Sequence, residues 1–312
     1  MNIKDKRAIR TLPAEIGEEE GRLIVTEADK RFGDSLKNLA DDIIAKGEKE
    51  GAIRAISLCG PTCSGKTTAA SMIVKQLEAR GRRVHMISLD DYFFNRAYLL
   101  ARSETGKIDF DSPGTIDVDL LEMTVNDLLV QNKTETYVPE FDFNTGNRSG
   151  FRKLEVEKGD VFLFEGIQAL YPDVATLFKD MPHASIFITV MRSIRIGDRI
   201  FNRDYIRLIR RLVRDFSRRA APADITFKLW PSVRENEDVN IYPYSGWTDY
   251  HVDSMMDFDV PMLGPYLMKV FDAMEPDSPY AFEAQAMRNA LAGVPVIDRK
   301  WLAPDSIYRE FI

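Results

Sequence analysis

The sequence is poor in cysteine and histidine and has no long apolar run. Its 312 residues include two cysteines, Cys59 and Cys63, and three histidines, too few for a disulfide framework or a zinc-ligand cluster. The longest largely apolar run, residues 184–191, is far shorter than the roughly 20 residues of a membrane span. No apolar segment follows the charged N-terminus as in a secretory signal. These absences disfavour secreted, membrane-spanning and zinc-dependent proteins, and we expect a cytoplasmic enzyme.

Composition and charge are those of an ordinary globular protein. Hydrophobic residues make up 45%, charged residues 29%, and the net charge is −7, which argues against non-specific nucleic-acid binding. There is no internal repeat and no linker rich in Pro, Gly or Ser. We therefore predict three segments: a charged, helical extension over 1–50, the main domain over 51–245, and a helical C-terminal extension over 246–312 packed on it.

Apolar runs alternate with helical periodicity through the main domain. The pattern predicts strands at 52–59, 83–89, 160–164 and 184–191, and helices at 34–44, 66–80, 117–131 and 279–292. Glu18–Glu20 is interpreted as a solvated loop, and Asp34 or Ser35 as the cap of the first of these helices. Continuous apolar runs are typical of strands covered on both faces. Their alternation with helices predicts an α/β fold with a doubly wound parallel sheet.

Residues 60–67, Gly-Pro-Thr-Cys-Ser-Gly-Lys-Thr, fit the phosphate-loop pattern G-x-x-x-x-G-K-[ST] between a predicted strand and helix. Backbone N–H groups of such a loop surround a phosphate, and the helix N-terminus adds positive charge. Lys66 would reach the β- and γ-phosphates, and the Thr67 hydroxyl would ligate Mg²⁺. The residues expected to bind ATP are Gly60, Pro61, Thr62, Cys63, Ser64, Gly65, Lys66, Thr67 and Thr68.

Carboxylates follow the predicted strands in an order that suits a kinase of a small hydroxyl compound. Asp90 and Asp91 end the second strand, and Glu165 closes the predicted strand at 160–164. Ligands of open parallel sheets bind beyond the carboxyl ends of strands, where a carboxylate can accept the proton of an attacking hydroxyl. The turn at 109–117 carries three further acids that can hold a diol. Each acid alone has a structural explanation as a turn or cap residue; the ordered set indicates phosphoryl transfer.

These motifs together resemble the uridine kinase/phosphoribulokinase family of phosphate-loop kinases over about residues 53–245. The matching segments are GPTCSGKTT, SLDDYF, DFDSPGTID, PEFDFNTGNR, VFLFEGI and RLIRRLVRDFSRR. The segments KLWPSVRENEDVNIYPY and DSIYREFI are similar to a bacterial uridine-kinase-like subgroup. The resemblance implies a P-loop NTPase fold of the nucleoside-kinase type, ATP and Mg²⁺ as cofactors, a small-molecule acceptor such as a nucleoside, and assembly as a homo-oligomer.

The resemblance also implies roles for single residues. Asp90 matches the general base, and Lys66, Arg210 and Arg214 complete the catalytic set. The implied substrate-binding residues are Asp111, Tyr92, Phe110, Phe141, Arg148, Arg218 and Arg219. Thr67 and Glu165 match the metal side. Where pyrimidine kinases have a base-reading tyrosine and histidine, this chain has Phe141 and Gly146, so the base preference stays open.

The segment 192–219 contains ten arginines and three aspartates. We interpret it as one helix in which the arginines from 195 to 207 form a solvated face. Arg210, Arg214, Arg218 and Arg219 form a lid over the transferring phosphoryl group. Two alternatives remain: a kinase of a purine nucleoside or of a non-nucleoside such as a sugar phosphate or pantothenate-like alcohol, and a nucleotide-sensing or RNA-binding module. No RNA-binding motif supports the latter, and Asp90 with Asp111 favours the enzyme.

Overall fold

The protein's structure, a computed structural model, describes residues 9–103 and 106–312. Its strands are β1 (Ile9–Leu12), β2 (Ala55–Cys59), β3 (Val84–Ser88), β4 (Glu135–Asp142), β5 (Asn147–Glu155), β6 (Val161–Glu165), β7 (His183–Thr189), β8 (Ser193–Ile196), β9 (Arg199–Phe201) and β10 (Tyr250–Asp253). Its α-helices are α1 (Glu18–Glu50), α2 (Lys66–Glu78), α3 (Arg96–Arg102), α4 (Val118–Val125), α5 (Pro172–Ala175), α6 (Arg203–Arg219), α7 (Ala223–Asn240), α8 (Asp259–Asp272) and α9 (Ala281–Leu291).

Five parallel strands form the central sheet, in the order β10-β7-β2-β6-β3. Every residue of β2 and β6 is buried, as expected of strands covered on both faces. Along β2, Ile56 and Leu58 enter one hydrophobic core and Ala55 and Cys59 enter the other. The predicted doubly wound α/β fold is confirmed, with the strand that precedes the phosphate loop at its centre.

The N-terminal extension is more regular than the sequence indicated. Glu18–Glu20, predicted as a loop, forms the first turn of a 33-residue helix, because acidic side chains are favourable at a positive helix N-terminus. The helix continues through the predicted cap at Asp34 or Ser35, where the Ser35 hydroxyl donates to the Phe32 carbonyl at 2.7 Å. Buried side chains such as Val25 and Leu36 join the core that α2 also enters.

The C-terminal part shares the central sheet. Strand β10 (Tyr250–Asp253) pairs with β7, so the predicted domain boundary at residue 245 falls before a strand of the main sheet. The helix predicted at 279–292 corresponds to α9, and Gly293 with φ +75° follows its end. No helix within residues 9–103 and 106–312 has the length and apolar character required to cross a membrane.

The arginine-rich segment is not one helix. Arg195 lies in β8 and Arg199 in β9, two strands of a separate three-stranded sheet with β1. Helix α6 begins only at Arg203, where the Asn202 side chain accepts from the Tyr205 N–H at 2.8 Å. This N-cap provides a hydrogen-bond acceptor for one of the backbone N–H groups of the first turn, which have no acceptor within the helix.

Candidate active site

The phosphate loop joins β2 to α2 at the carboxyl edge of the central sheet. Gly65 precedes the helix with φ +82°, a conformation in which a residue with a side chain would be strained. The Ile307 side chain packs directly on this glycine. The Lys66 ammonium donates to the Pro61 carbonyl at 3.2 Å. The loop thus has the bend, lysine and helix N-terminus that bind a phosphate chain.

Two fully buried arginines of α6, Arg207 and Arg210, bind backbone carbonyls of this loop. Arg207 donates to the Thr62 carbonyl at 3.0 Å and pairs with Glu237, which also accepts from the Thr62 N–H at 3.2 Å. Arg210 contacts the Cys63 carbonyl at 3.4 Å and pairs with Asp259 through bonds of 2.7 and 2.8 Å. Arg207 was expected on a solvated face; it is buried instead, because a partner carboxylate is buried with it.

Arg210 is therefore not in the cleft where the family resemblance would put it. Its side chain is 0% exposed and faces Asp259, whereas the arginines that line the cleft are Arg211, Arg214, Arg218 and Arg219. Arg210 thus contacts the backbone of the loop, whereas its neighbour Arg211 faces the cleft.

Arg210→Met is accordingly expected to act on stability. Removal of one partner from a buried ion pair costs about 3–5 kcal/mol, because the other charge stays buried and unpaired. Thermal unfolding should show a Tm lower by roughly 10 °C, with part of the loss restored when Asp259→Asn is added. The Tm of Arg210→Met is compared with that of Arg214→Met, which changes an arginine on the cleft wall. An unchanged Tm together with lost activity in Arg210→Met would restore its assignment to the lid.

Two acids end neighbouring strands beside the loop. Glu165 ends β6, and the Ser88 hydroxyl of β3 donates to it at 3.4 Å. Burial raises the pKa of Glu165 to about 7, against the opposing charge of Lys66. Asp90 follows β3 in a short 3₁₀ turn, and the Gln168 amide donates to its Oδ1 at 2.9 Å. The cluster Lys66, Glu165 and Asp90 is the arrangement that the sequence predicted for the strand ends.

These residues suit a magnesium ion held jointly with a nucleotide. Among the residues that the structure describes, no three acid, histidine or cysteine side chains are grouped to hold a metal by themselves. Mg²⁺ in phosphoryl-transfer sites binds through one or two protein oxygens, waters and phosphate oxygens. Thr67 and Glu165 both line the cleft and supply a hydroxyl and a carboxylate, the hard oxygen donors that this ion prefers.

The other end of the cleft combines one carboxylate with phenylalanine rings. Asp111 lines it, with Phe93, Phe110 and Phe143. Burial, with a smaller contribution from Asp109, raises the pKa of Asp111 to about 6. The rings of Phe93 and Phe110 meet edge to face at 5.2 Å between centroids. This end can therefore hold a flat apolar group beside a hydroxyl-binding carboxylate.

Three of the predicted substrate residues support this end without lining it. Phe141 is 8% exposed and packs between Phe93 and Phe143 at 5.6 and 5.3 Å between centroids. Tyr92 is fully buried and donates to Thr124 at 3.1 Å. Arg148 donates to Asp117 at 3.1 Å. Their neighbours Phe93, Phe110 and Phe143 line the cleft instead.

Gly146 lies in the turn between β4 and β5. Its φ of +69° favours glycine, and a β-carbon there would face Arg96 at 3.4 Å and not the cleft. Asn144, two residues earlier, lines the cleft. The polar residue of this turn that lines the cleft is therefore Asn144, which lies in the matching segment PEFDFNTGNR but was given no role from the sequence.

The end of α6 forms one wall of the cleft. Asp215 accepts from Arg211 at 3.3 Å and from Arg214 at 3.1 Å, and Arg219 lies 3.5 Å from it. Three guanidinium groups thus share one carboxylate, and Arg218 lines the same wall. This excess of positive charge suits the binding of phosphate oxygens.

The residues that line this site surround one cleft of about 1010 Å³. The predicted residues that it brings together are Thr62, Cys63, Gly65, Lys66, Thr67, Asp90, Phe110, Asp111, Glu165, Arg214, Arg218 and Arg219. The residues that sequence reasoning missed include Gln168, Arg211 and Glu310. Gln168 was missed because a lone amide after a strand carries no motif, and Glu310 because it is distant in sequence.

A phosphate loop on the middle strand of a parallel sheet, with acids at the adjacent strand ends, defines a nucleotide-binding α/β protein of the phosphate-loop class. The family model "Phosphoribulokinase / Uridine kinase family" matches residues 55–261. The chain belongs to this family.

Curated relatives agree with this assignment. The chain is 30% identical to the uridine kinase of Staphylococcus aureus (strain JH9) over 195 residues, which cover 62% of this chain and 84% of that protein. It is 29% identical to uridine-cytidine kinase A of Dictyostelium discoideum over 62% of this chain but only 34% of that protein. The chain is a nucleoside or related kinase, a phosphotransferase with an alcohol group as acceptor, and the family implies ATP as donor, generally with Mg²⁺.

Among solved structures, the phosphoribulokinase from Rhodobacter spheroides is similar with a TM-score of 0.45 and 14% sequence identity, over 78% of this chain and 99% of that one. Values this low carry no information on the acceptor.

Proposed function

We propose that the protein transfers the γ-phosphoryl group of ATP to the primary hydroxyl of a ribonucleoside. The observation that carries this proposal is the single cleft in which the phosphate loop, Asp90 and Asp111 meet three phenylalanine rings. The loop supports the donor, Asp90 lines the same cleft, and the carboxylate with rings supports an acceptor that has both hydroxyls and a flat base.

In this mechanism Asp90 accepts the proton of the attacking hydroxyl. The hydrogen bond from Gln168 fixes one carboxylate oxygen and leaves the other for the acceptor. Lys66 and the arginines of the lid bind the charge that develops on the phosphoryl oxygens. When bound at Thr67 and Glu165, Mg²⁺ would neutralise further charge on the phosphates. Positioning by these fixed groups accounts for most of the rate in such transfers.

The acceptor end supports a nucleoside over a smaller polyol. Phe93, Phe110 and Phe143 supply apolar surface, and Phe143 is 64% exposed at the cleft mouth, so a base can cover it. Asp111 supports recognition of a ribose diol because one carboxylate can accept from two hydroxyls. The replacement of a base-reading tyrosine by Phe141 leaves the choice among bases to Asn144 and the backbone.

The test is ATP consumption with Mg²⁺ against separate pools of pyrimidine nucleosides, purine nucleosides, sugar phosphates and pantothenate. We expect turnover in a nucleoside pool. Turnover only with a sugar phosphate or pantothenate would keep the transfer chemistry and refute the acceptor. If no pool supports ATP consumption although ATP still binds, the result would favour a nucleotide sensor.

Acceptor affinity is expected to depend on pH through Asp111. Its pKa of about 6 means that the carboxylate is ionised, and able to accept from two hydroxyls, only above that pH. The dissociation constant of the nucleoside, measured calorimetrically without ATP, should rise about tenfold per pH unit below 6. Asp111→Asn should bind the nucleoside weakly with a flat profile between pH 5 and 7. An equal pH dependence in both proteins would assign the titration to another group.

A further inference from the structure

The last ten residues, 303–312, here called the C-terminal tail, pack directly on the phosphate loop. Ile307 covers Gly65, where a β-carbon would overlap the Ile307 side chain. Ile307, Tyr308 and Phe311 are 0% exposed, and the Tyr308 hydroxyl donates to Asp259 at 2.8 Å. The tail is therefore a fixed part of the nucleotide side of the cleft.

One side chain of this tail reaches into the cleft. The Thr68 hydroxyl donates to Glu310 Oε2 at 3.1 Å, and Arg214 Nη1 lies 3.9 Å from Glu310 Oε1. Thr68 is the third residue of α2, at the positive end of the helix dipole. The Glu310 carboxylate thus lies between the Thr68 hydroxyl at the start of α2 and the guanidinium of Arg214, which lines the cleft.

The tail does not depend on Glu310 for its attachment. Three apolar side chains of the tail are buried, and Arg218 donates to the carbonyls of Arg309 and Ile312 at 3.2 and 2.9 Å. The Glu310 side chain is 21% exposed and lines the cleft. Its contact with Thr68 adds little to the attachment, yet places a negative charge where phosphates would come.

We propose that Glu310 is an affinity-determining residue of the nucleotide site: its carboxylate occupies a phosphate position at Thr68 and Arg214 and is displaced when a nucleoside triphosphate binds. The inference rests on the proposed function, because it requires ATP to bind in the phosphate loop. Two anions cannot share these donors, and two like charges at such a distance repel each other. The carboxylate therefore keeps the donors paired in the free enzyme and lowers the affinity for the triphosphate.

Glu310→Gln tests this, since the amide keeps the size and the acceptor oxygen but not the charge. Binding of ATP and of inorganic tripolyphosphate, each with Mg²⁺ and without acceptor, is measured by calorimetry. Both ligands should bind about tenfold more tightly to the variant. Glu283→Gln, an identical change on an exposed residue of α9 outside the cleft, should bind both ligands as the unchanged protein does.

Tripolyphosphate contains no nucleoside, so its affinity depends only on the phosphate positions. The affinity for ATP also depends on contacts with the ribose and the base. Weaker ATP binding with unchanged tripolyphosphate binding would make Glu310 a ligand of the ribose or base and overturn the inference. Unchanged affinities for both ligands would also overturn it and leave Glu310 as a tail anchor, with the proposed function intact. Absence of ATP binding in folded unchanged protein and variant alike would overturn the proposed function and the inference with it.

Discussion

Asp90→Asn is expected to reduce kcat by about 10²–10⁴-fold, the usual contribution of a general base, with ATP affinity nearly unchanged. The asparagine keeps the oxygen that accepts from Gln168 at 2.9 Å, so the local structure should persist. It cannot take the proton of the attacking hydroxyl. Initial rates with the acceptor that the pool assay identifies, and calorimetry with ATP, measure the two quantities separately.

The adjacent Asp91 provides the matched control. Its Oδ1 accepts from the Phe141 N–H at 3.1 Å and so attaches the β4–β5 hairpin, a task that an asparagine oxygen can also perform. Asp91→Asn should therefore keep kcat within a few-fold. If Asp90→Asn retains kcat, or if the two variants lose equal amounts, the assignment of the base to Asp90 fails.

Lys66→Met is expected to lower kcat by at least 10²–10³-fold, as does loss of one preorganised donor to a developing charge. It should also weaken ATP binding, because this ammonium is the cation placed within the loop itself. The methionine preserves the length and the apolar stem, so the change isolates the charge. Rates and ATP affinity are measured together, because loss of both distinguishes Lys66 from a residue that acts only in the transition state.

Lys75→Met controls for the change in net charge. Lys75 is exposed near the other end of the same helix, so its substitution alters α2 and the total charge equally but not the loop. It should behave as the unchanged protein does. A Lys66→Met variant with normal ATP affinity would mean that the nucleotide binds elsewhere and that the phosphate loop is not the donor site.

The parts of the site that could be predicted from the sequence are those in which one short segment contains the functional residues. The loop at 60–67 follows β2, Asp90 lies two residues beyond β3, and Glu165 ends β6; parallel strands bring their carboxyl ends to one edge. Their common placement then follows from topology alone. This is why the cleft contains most of the residues expected of it.

The arginines show where prediction from sequence ends. Arg210 and Arg211 are neighbours on α6, and successive helical residues point about 100° apart. Which of them faces the cleft depends on Asp259, which is 49 positions away from Arg210. The spacing of the arginines along α6 gives no information about the pairing of Arg210 with Asp259. The contact of Glu310 with Thr68, across 242 positions, is hidden for the same reason.

Long-range pairing also explains the errors in the fold. Strand β10 was missed because its four residues gain their strand structure from β7. Helix α1 was predicted too short because Gly33 lies in its middle, where glycine costs about 1 kcal/mol. Burial of its apolar face against the main core offsets that cost.

The cleft has two parts of different construction. The part proposed to bind the donor is carried by the central strands and by buried arginine–carboxylate pairs, whereas the part proposed to bind the acceptor is carried by the β4–β5 hairpin and the turn near Asp111. Substitutions in an exposed hairpin tip are tolerated far better than those in a buried sheet. We therefore expect that a few changes around Phe143 and Asn144 would alter the choice of acceptor and leave the transfer chemistry unchanged.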